Sequence, residues 1–137
     1  MLLLTGFEPF TTGRGLTLEH NPTADIALRL GASLPDVTAA VLPVSYAETG
    51  GALKALWDAH RPRRWIGLGY APHRRQIEVE TVALNVEHAE RGDNDGVRPT
   101  DRAIVEGAPL AYRARLDTVE AAALWGAHGV NAVPGFH

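Results

Sequence analysis

Gly69-Tyr-Ala-Pro-His-Arg-Arg-Gln-Ile-Glu-Val-Glu-Thr-Val-Ala-Leu-Asn85 is the stretch on which the reading of this chain turns. It follows a short apolar run, Trp65-Ile-Gly-Leu68, and crosses a basic turn at Arg74 and Arg75. Strand character then resumes from Ile77 to Val86. In a single strand the side chains alternate. Ile77, Val79, Thr81 and Ala83 then share one face, and Glu78, Glu80, Val82, Leu84 and Val86 share the other. Glu80 so falls in line with three aliphatic residues. A carboxylate in that row needs a solvated margin or a partner, since burying an unpaired charge is costly. Glu80 is therefore a candidate for chemistry. Its ordinary alternative is a solvated or salt-bridged strand carboxylate.

Upstream, Leu2 to Leu4 is a continuous apolar run, as expected for a strand buried on both faces of a parallel sheet. Thr5-Gly6 is read as its stop, with Phe7-Glu8-Pro9-Phe10 as the loop that follows. Ligands collect at the carboxyl ends of strands in open α/β sheets, so Phe7 and Phe10 stand at the right edge to line a pocket. The alternative is that both rings are ordinary core. Thr11 to Glu19 reads as a loop. Asn21-Pro22 opens a helix, with Asn21 as N-cap, Pro22 at the first helical position and Gly31 as the stop.

Val37 to Val44 is the second expected strand, ended at Leu42-Pro43-Val44. Ser45 and Glu48 have capping-box spacing, and the helix they start carries Leu53, Leu56, Trp57 and His60 on one stripe. Gly50-Gly51 costs that helix about 1 kcal/mol per glycine, which implies close packing or a weak first turn. Arg61-Pro62 closes it, and Trp65 to Leu68 is the third strand. Beyond Val86, the polar segment Glu87 to Asp101 reads as a long surface loop. Asp117 and Glu120 cap a helix over Thr118 to His128 that Gly129 stops, and Val130 to Val133 begins another strand. Strands alternating with helices predict one domain over 1–137, a three-layer α/β/α sandwich on a mixed, mainly parallel sheet.

At 137 residues the chain can bury roughly two thirds of its unfolded surface and form a core without staples. Its net charge of −3, from 13 basic and 16 acidic residues, suggests neither a nucleic-acid nor a membrane-surface partner. The count of cysteines is 0, which excludes a disulfide framework, a thiolate metal site and a cysteine nucleophile within these residues. The six histidines, His20, His60, His73, His88, His128 and His137, lack metal-ligand spacing, so neither metal nor cofactor is expected. Gly67-Leu-Gly69-Tyr-Ala-Pro72 starts like a dinucleotide fingerprint, but a proline holds the third glycine position and strand follows in place of a helix. No Gly-x-Ser-x-Gly elbow occurs. The apolar N-terminus is too short for a signal peptide and no run reaches membrane-span length, so a cytoplasmic protein is expected.

Taken together, Leu4-Thr-Gly-Phe-Glu-Pro-Phe10 with Asn21-Pro22, Leu42-Pro-Val44, the Gly69–Asn85 stretch, Asp93-Asn94 and Ile104-Val105 with Gly107-Ala-Pro109 resemble the type I pyroglutamyl peptidases. The resemblance covers essentially the whole chain. It implies a phosphorylase/hydrolase-like α/β/α fold and a cysteine-type omega peptidase that removes N-terminal pyroglutamate from peptides. Carried over, Glu80 matches the catalytic acid that orients a histidine. Phe7 and Phe10 match aromatics that hold the pyroglutamyl ring, Val44 lies in the matched second strand end, and Tyr70 occupies the slot of a substrate-contacting glutamine. Thr81 replaces a basic residue, Glu78 a Ser/Thr, and Glu90 an arginine, with Arg91 adjacent.

The family's cysteine motif should follow directly on Phe136-His137, with the histidine further on. The sequence ends before both, so it is expected to be C-terminally truncated and without turnover by the thiol mechanism. A non-catalytic remnant that binds a pyrrolidone-like ligand or a partner is the alternative. A hydrolase using Ser45 or Thr81 has no support in the spacing. Sheet faces left without a covering helix, together with the resemblance, lead to the expectation of a homo-oligomer.

Overall fold

The structure, a computed structural model, describes residues 1–12 and 14–136. Gly13, in the expected Thr11–Glu19 loop, and His137 lie outside the described residues. The chain forms two compact units, Met1–Ala71 with Glu90–Arg98, and Pro72–Ala89 with the chain from Pro99 onward.

The first unit holds β1 (Leu2–Phe7), α1 (Pro22–Ser33), β2 (Val37–Leu42), α2 (Thr49–His60) and β3 (Arg64–Gly67). β1 is central in the order β2-β1-β3 and pairs parallel on both sides. That position explains its apolar run, with Leu3 through Gly6 all buried. The strand does not stop at Thr5-Gly6; it continues to Phe7. The glycine is there for space. A Cβ at Gly6 would lie 2.3 Å from the Thr23 carbonyl oxygen, so α1 crosses directly against the β1 backbone. Buried Thr5 satisfies its hydroxyl by accepting the Trp65 indole N–H at 2.9 Å.

Asn21 caps α1 as expected, its side chain accepting the Thr23 N–H, with Pro22 at the helix start. The expected stop at Gly31 is wrong, since the helix runs on to Ser33. Gly31 instead lets α1 approach β2, where its added Cβ would lie 2.5 Å from Ala39 Cβ. Ser45 likewise caps a single turn and not the helix proper. Its Oγ accepts the Glu48 N–H at 3.2 Å, and α2 begins at Thr49. Gly50 and Gly51 have open space around them, so no close packing requires them; they sit in the first turn. Arg61 closes α2 in the left-handed region at φ 47°.

The second unit holds β4 (Ile77–Glu80), β5 (Val82–Leu84), β6 (Ala111–Arg113), α3 (Thr118–Ala127) and β7 (Ala132–Gly135). β4 pairs parallel with β7 and β5 antiparallel with β6. The single strand expected from Ile77 to Val86 is therefore two, divided at Thr81. The reason is a change of partner. Thr81 donates its N–H to Gly135 O of β7 at 2.8 Å, while its carbonyl accepts Ala114 N–H just beyond β6 at 2.8 Å. Its hydroxyl, buried, meets that of Thr118 at 2.7 Å. α3 is capped by Asp117, which accepts the Val119 and Glu120 N–H groups, as expected. β6 was not anticipated. Residues 87–102 form the expected long loop, pinched at its base by the Glu87–Arg102 bridge. Among the described residues three of the four strand pairings are parallel, so the α/β architecture on mainly parallel sheets is present. Among the described residues no helix is long and apolar enough to cross a membrane.

Candidate active site

Phe7, Phe10, Val44 and Tyr70 belong to the first unit and Glu80 to the second. Phe7 ends β1 and both phenylalanine rings are half-buried. The segment that carries them is held group by group. Phe7 N–H donates to Thr23 Oγ1 at 3.0 Å, and Glu8 N–H to Leu42 O at 3.0 Å. The Glu8 carbonyl accepts Asn21 Nδ2 at 2.9 Å, and that of Phe10 accepts Leu18 N–H at 3.1 Å.

Val44 follows β2 and is tied to the same segment through Glu8, whose Oε1 accepts the Val44 N–H at 2.9 Å. The same oxygen accepts Asn94 Nδ2 at 3.0 Å, and that amide also reaches Pro9 O at 3.0 Å. Asn94 N–H in turn donates to Val44 O at 3.0 Å. One residue earlier, Asp93 accepts the Tyr46 N–H at 2.7 Å on Oδ2, and those of Asp95 and Val97 on Oδ1. Lost hydration works to raise the Asp93 pKa. The three backbone donors from Tyr46, Val97 and Asp95 outweigh it and hold the carboxyl below its usual range. Residues 90–98 thus form a strap across the ends of β1 and β2.

Phe7, Phe10 and Val44 are therefore joined in one hydrogen-bonded assembly. Tyr70 lies past β3 in the same unit, its residue 39% exposed. Glu8 and Asn94 were quoted in the sequence only as motif letters, with no role. Glu8 had one sequence signal, a charged residue set between two aromatics, and Asn94 had none, because the bonds of Glu8 to Val44 and Asn94 span 36 and 86 positions.

In the second unit, Glu80 ends β4 with its side chain 46% exposed. Arg74 Nη1 lies 3.1 Å from Glu80 Oε1 and 2.5 Å from Glu78 Oε2. Glu78 is the more enclosed carboxylate, at 12%. The break at Thr81 accounts for this, since no continuous row of aliphatics surrounds Glu80. A Cβ at Gly135, its register partner, would lie 2.9 Å from Glu80 Oε2, so the carboxylate uses space that the glycine leaves open. Two open recesses of about 590 and 510 Å³ in this unit are lined around Arg113–Glu120 and around Ile77, Trp125 and His128. Neither contains a predicted site residue. Among the described residues no three His, Asp or Glu side chains are grouped to hold a metal ion.

Comparison with known proteins matches residues 1–133 to the pyroglutamyl peptidase family model. The pyrrolidone-carboxylate peptidase of Thermococcus litoralis is 40% identical over 120 residues, which is 84% of this chain and 51% of that protein. The one from Clavibacter michiganensis is 36% identical over 134 residues, 96% of this chain and 61% of the relative. Among solved structures, a mutant pyrrolidone carboxyl peptidase from P. furiosus superposes with a TM-score of 0.89 at 33% identity, covering 99% of this chain and 64% of the other. The enzyme from Thermus thermophilus gives 0.85 at 35%, covering 99% and 69%. The fold is that of the pyrrolidone carboxyl peptidases, an α/β fold of the kind expected from the alternation of strands and helices. The chain belongs to the pyroglutamyl peptidase family. It spans about half the length of the T. litoralis relative.

Proposed function

We propose that this chain carries the ring-binding side and the glutamate of a pyroglutamyl-peptide site, as one domain, and that it binds pyroglutamate or pyroglutamyl peptides without cleaving them. The observation that supports this most is the assembly around Glu8, which presents Phe7 and Phe10 together with Val44 at the carboxyl ends of β1 and β2. That is where an open α/β sheet receives ligands. Phe7 and Phe10 hold the flat pyrrolidone ring, Val44 and Tyr70 contribute contacts, and Glu80 has the role of orienting a histidine.

In the thiol mechanism a thiolate adds to the pyroglutamyl carbonyl and the peptide amine leaves with the imidazolium proton. Water then hydrolyses the thioester. These 137 residues contain 0 cysteines, so the attacking group has no source among them. The protein is a cytoplasmic homo-oligomer that needs no cofactor and binds neither nucleic acid nor membrane. Two assays test the reading. Calorimetric titration with pyroglutamate is expected to show saturable binding that Phe10→Ala abolishes. A pyroglutamyl-linked chromogenic substrate is expected to show no turnover, and Glu80→Gln is the control. Turnover that depends on Glu80 would overturn the non-cleaving reading.

A further inference from the structure

We infer that Glu8 and Asn94 are positioning residues that set the spacing between the Phe7 and Phe10 rings and Val44, and so fix which flat ring this edge accepts. The inference rests on reading Phe7 and Phe10 as ring-binding. One carboxylate oxygen, Glu8 Oε1, receives two neutral donors, Val44 N–H at 2.9 Å and Asn94 Nδ2 at 3.0 Å. A half-buried carboxylate spent on two amide groups holds elements together. Its two donors come from the β2 exit and from the 90–98 strap, both remote in sequence.

Asn94 closes the ring of bonds from the other side. Its Nδ2 also reaches Pro9 O at 3.0 Å, and its N–H reaches Val44 O at 3.0 Å. Glu8 is anchored through its own N–H and carbonyl, but Pro9 has no N–H, so its carbonyl is the backbone group by which that residue can be held. Asn94 supplies that anchor. The outer flanks are fixed independently, by Thr23 at Phe7 and by Leu18 at Phe10. Removing either side chain leaves the Phe7, Glu8 and Phe10 backbone anchors in place and releases the side-chain link to Val44 or to the Pro9 carbonyl, which changes the placement of the rings against each other and against Val44.

The chain has three phenylalanines, Phe7, Phe10 and Phe136, so 4-fluorophenylalanine labelling gives one ¹⁹F resonance for each. Glu8→Ala and Asn94→Ala are expected to move the Phe7 and Phe10 lines while the Phe136 line stays in place. Glu8→Gln keeps an oxygen that accepts both N–H groups, and it should return the lines to their wild-type positions. Unmoved Phe7 and Phe10 lines in Asn94→Ala, or a Glu8→Gln spectrum as displaced as that of Glu8→Ala, would overturn the inference. Should Glu8→Ala not fold, the exposed Asn94→Ala decides alone.

Pyroglutamate affinity in Asn94→Ala should fall by about tenfold with the labelled rings displaced. Wild-type protein that binds no pyroglutamate would sink the proposed function, and the ring spectra would still decide the clamp. Displaced rings with undiminished affinity would overturn the specificity role assigned here.

Discussion

The aromatic segment of the first unit and Glu80 of the second are held in opposite ways. From Phe7 to Phe10 the backbone is anchored to α1, β2, the Leu18 turn and the strap, and Glu8 adds a link to Val44. Glu80 is held by a guanidinium it shares with Glu78, and its carboxylate fills the space left by a glycine. The first arrangement is rigid because each contact removes freedom that the others have already reduced. The second has, among the described residues, a single ion-pair partner in Arg74 and a half-exposed side chain. The contrast teaches that the aromatic segment is fixed by several independent anchors, whereas the glutamate rests on a shared ion pair.

The sharpest way to break this contrast is Gly6→Ala. Its new Cβ would strike backbone atoms of Thr23 and Ala24, which cannot rotate away. The expected loss is about 3 kcal/mol, read as a lowered urea midpoint. A variant as stable as wild type would show that α1 yields and that the aromatic segment is less rigid than described.

A smaller effect is expected from acid. The folded pKa of Asp93 is lowered, so its contribution is fully present above the unfolded value of about 3.9 and is lost as pH falls through the lower folded value. The amides of Tyr46 and Val97 should lose hydrogen-exchange protection across that acid range. Asp93→Asn should lack this limb. An identical acid profile for the two proteins would remove Asp93 as the lock of the strap.

The smallest effect is expected from Arg74→Gln. Its ion pairs are partly solvated, and the change should cost less than about 1 kcal/mol. A loss comparable with that of Gly6→Ala would mean that Glu80 is held as firmly as the rings are.

Features whose causes are local were legible in the sequence. The Asn21-Pro22 cap and the Asp117 cap depend on neighbours within a few residues, and the unbroken apolar run Leu2–Leu4 is itself the mark of a strand covered on both faces. What escaped was set by distant contacts. Ile77 to Val86 has unbroken strand propensity, and only the separate arrival of β6 and β7 divides it at Thr81. Gly6 and Gly31 read as stops because glycine ends elements often, yet each is there for the close passage of α1. Phe7 and Phe10 could be singled out through the family resemblance. Glu8 could not be assigned, since Asn94 reaches it from 86 positions away.

Thr81 serves two ladders at once, its N–H in one and its carbonyl in the other. Deleting or adding a residue between Glu78 and Leu84 would slide at least one pairing by a step and turn its side chains to the opposite face. Substitution in this short stretch is thus far easier to absorb than a change in its length. Relatives that keep both pairings should vary here in letters and hardly at all in count.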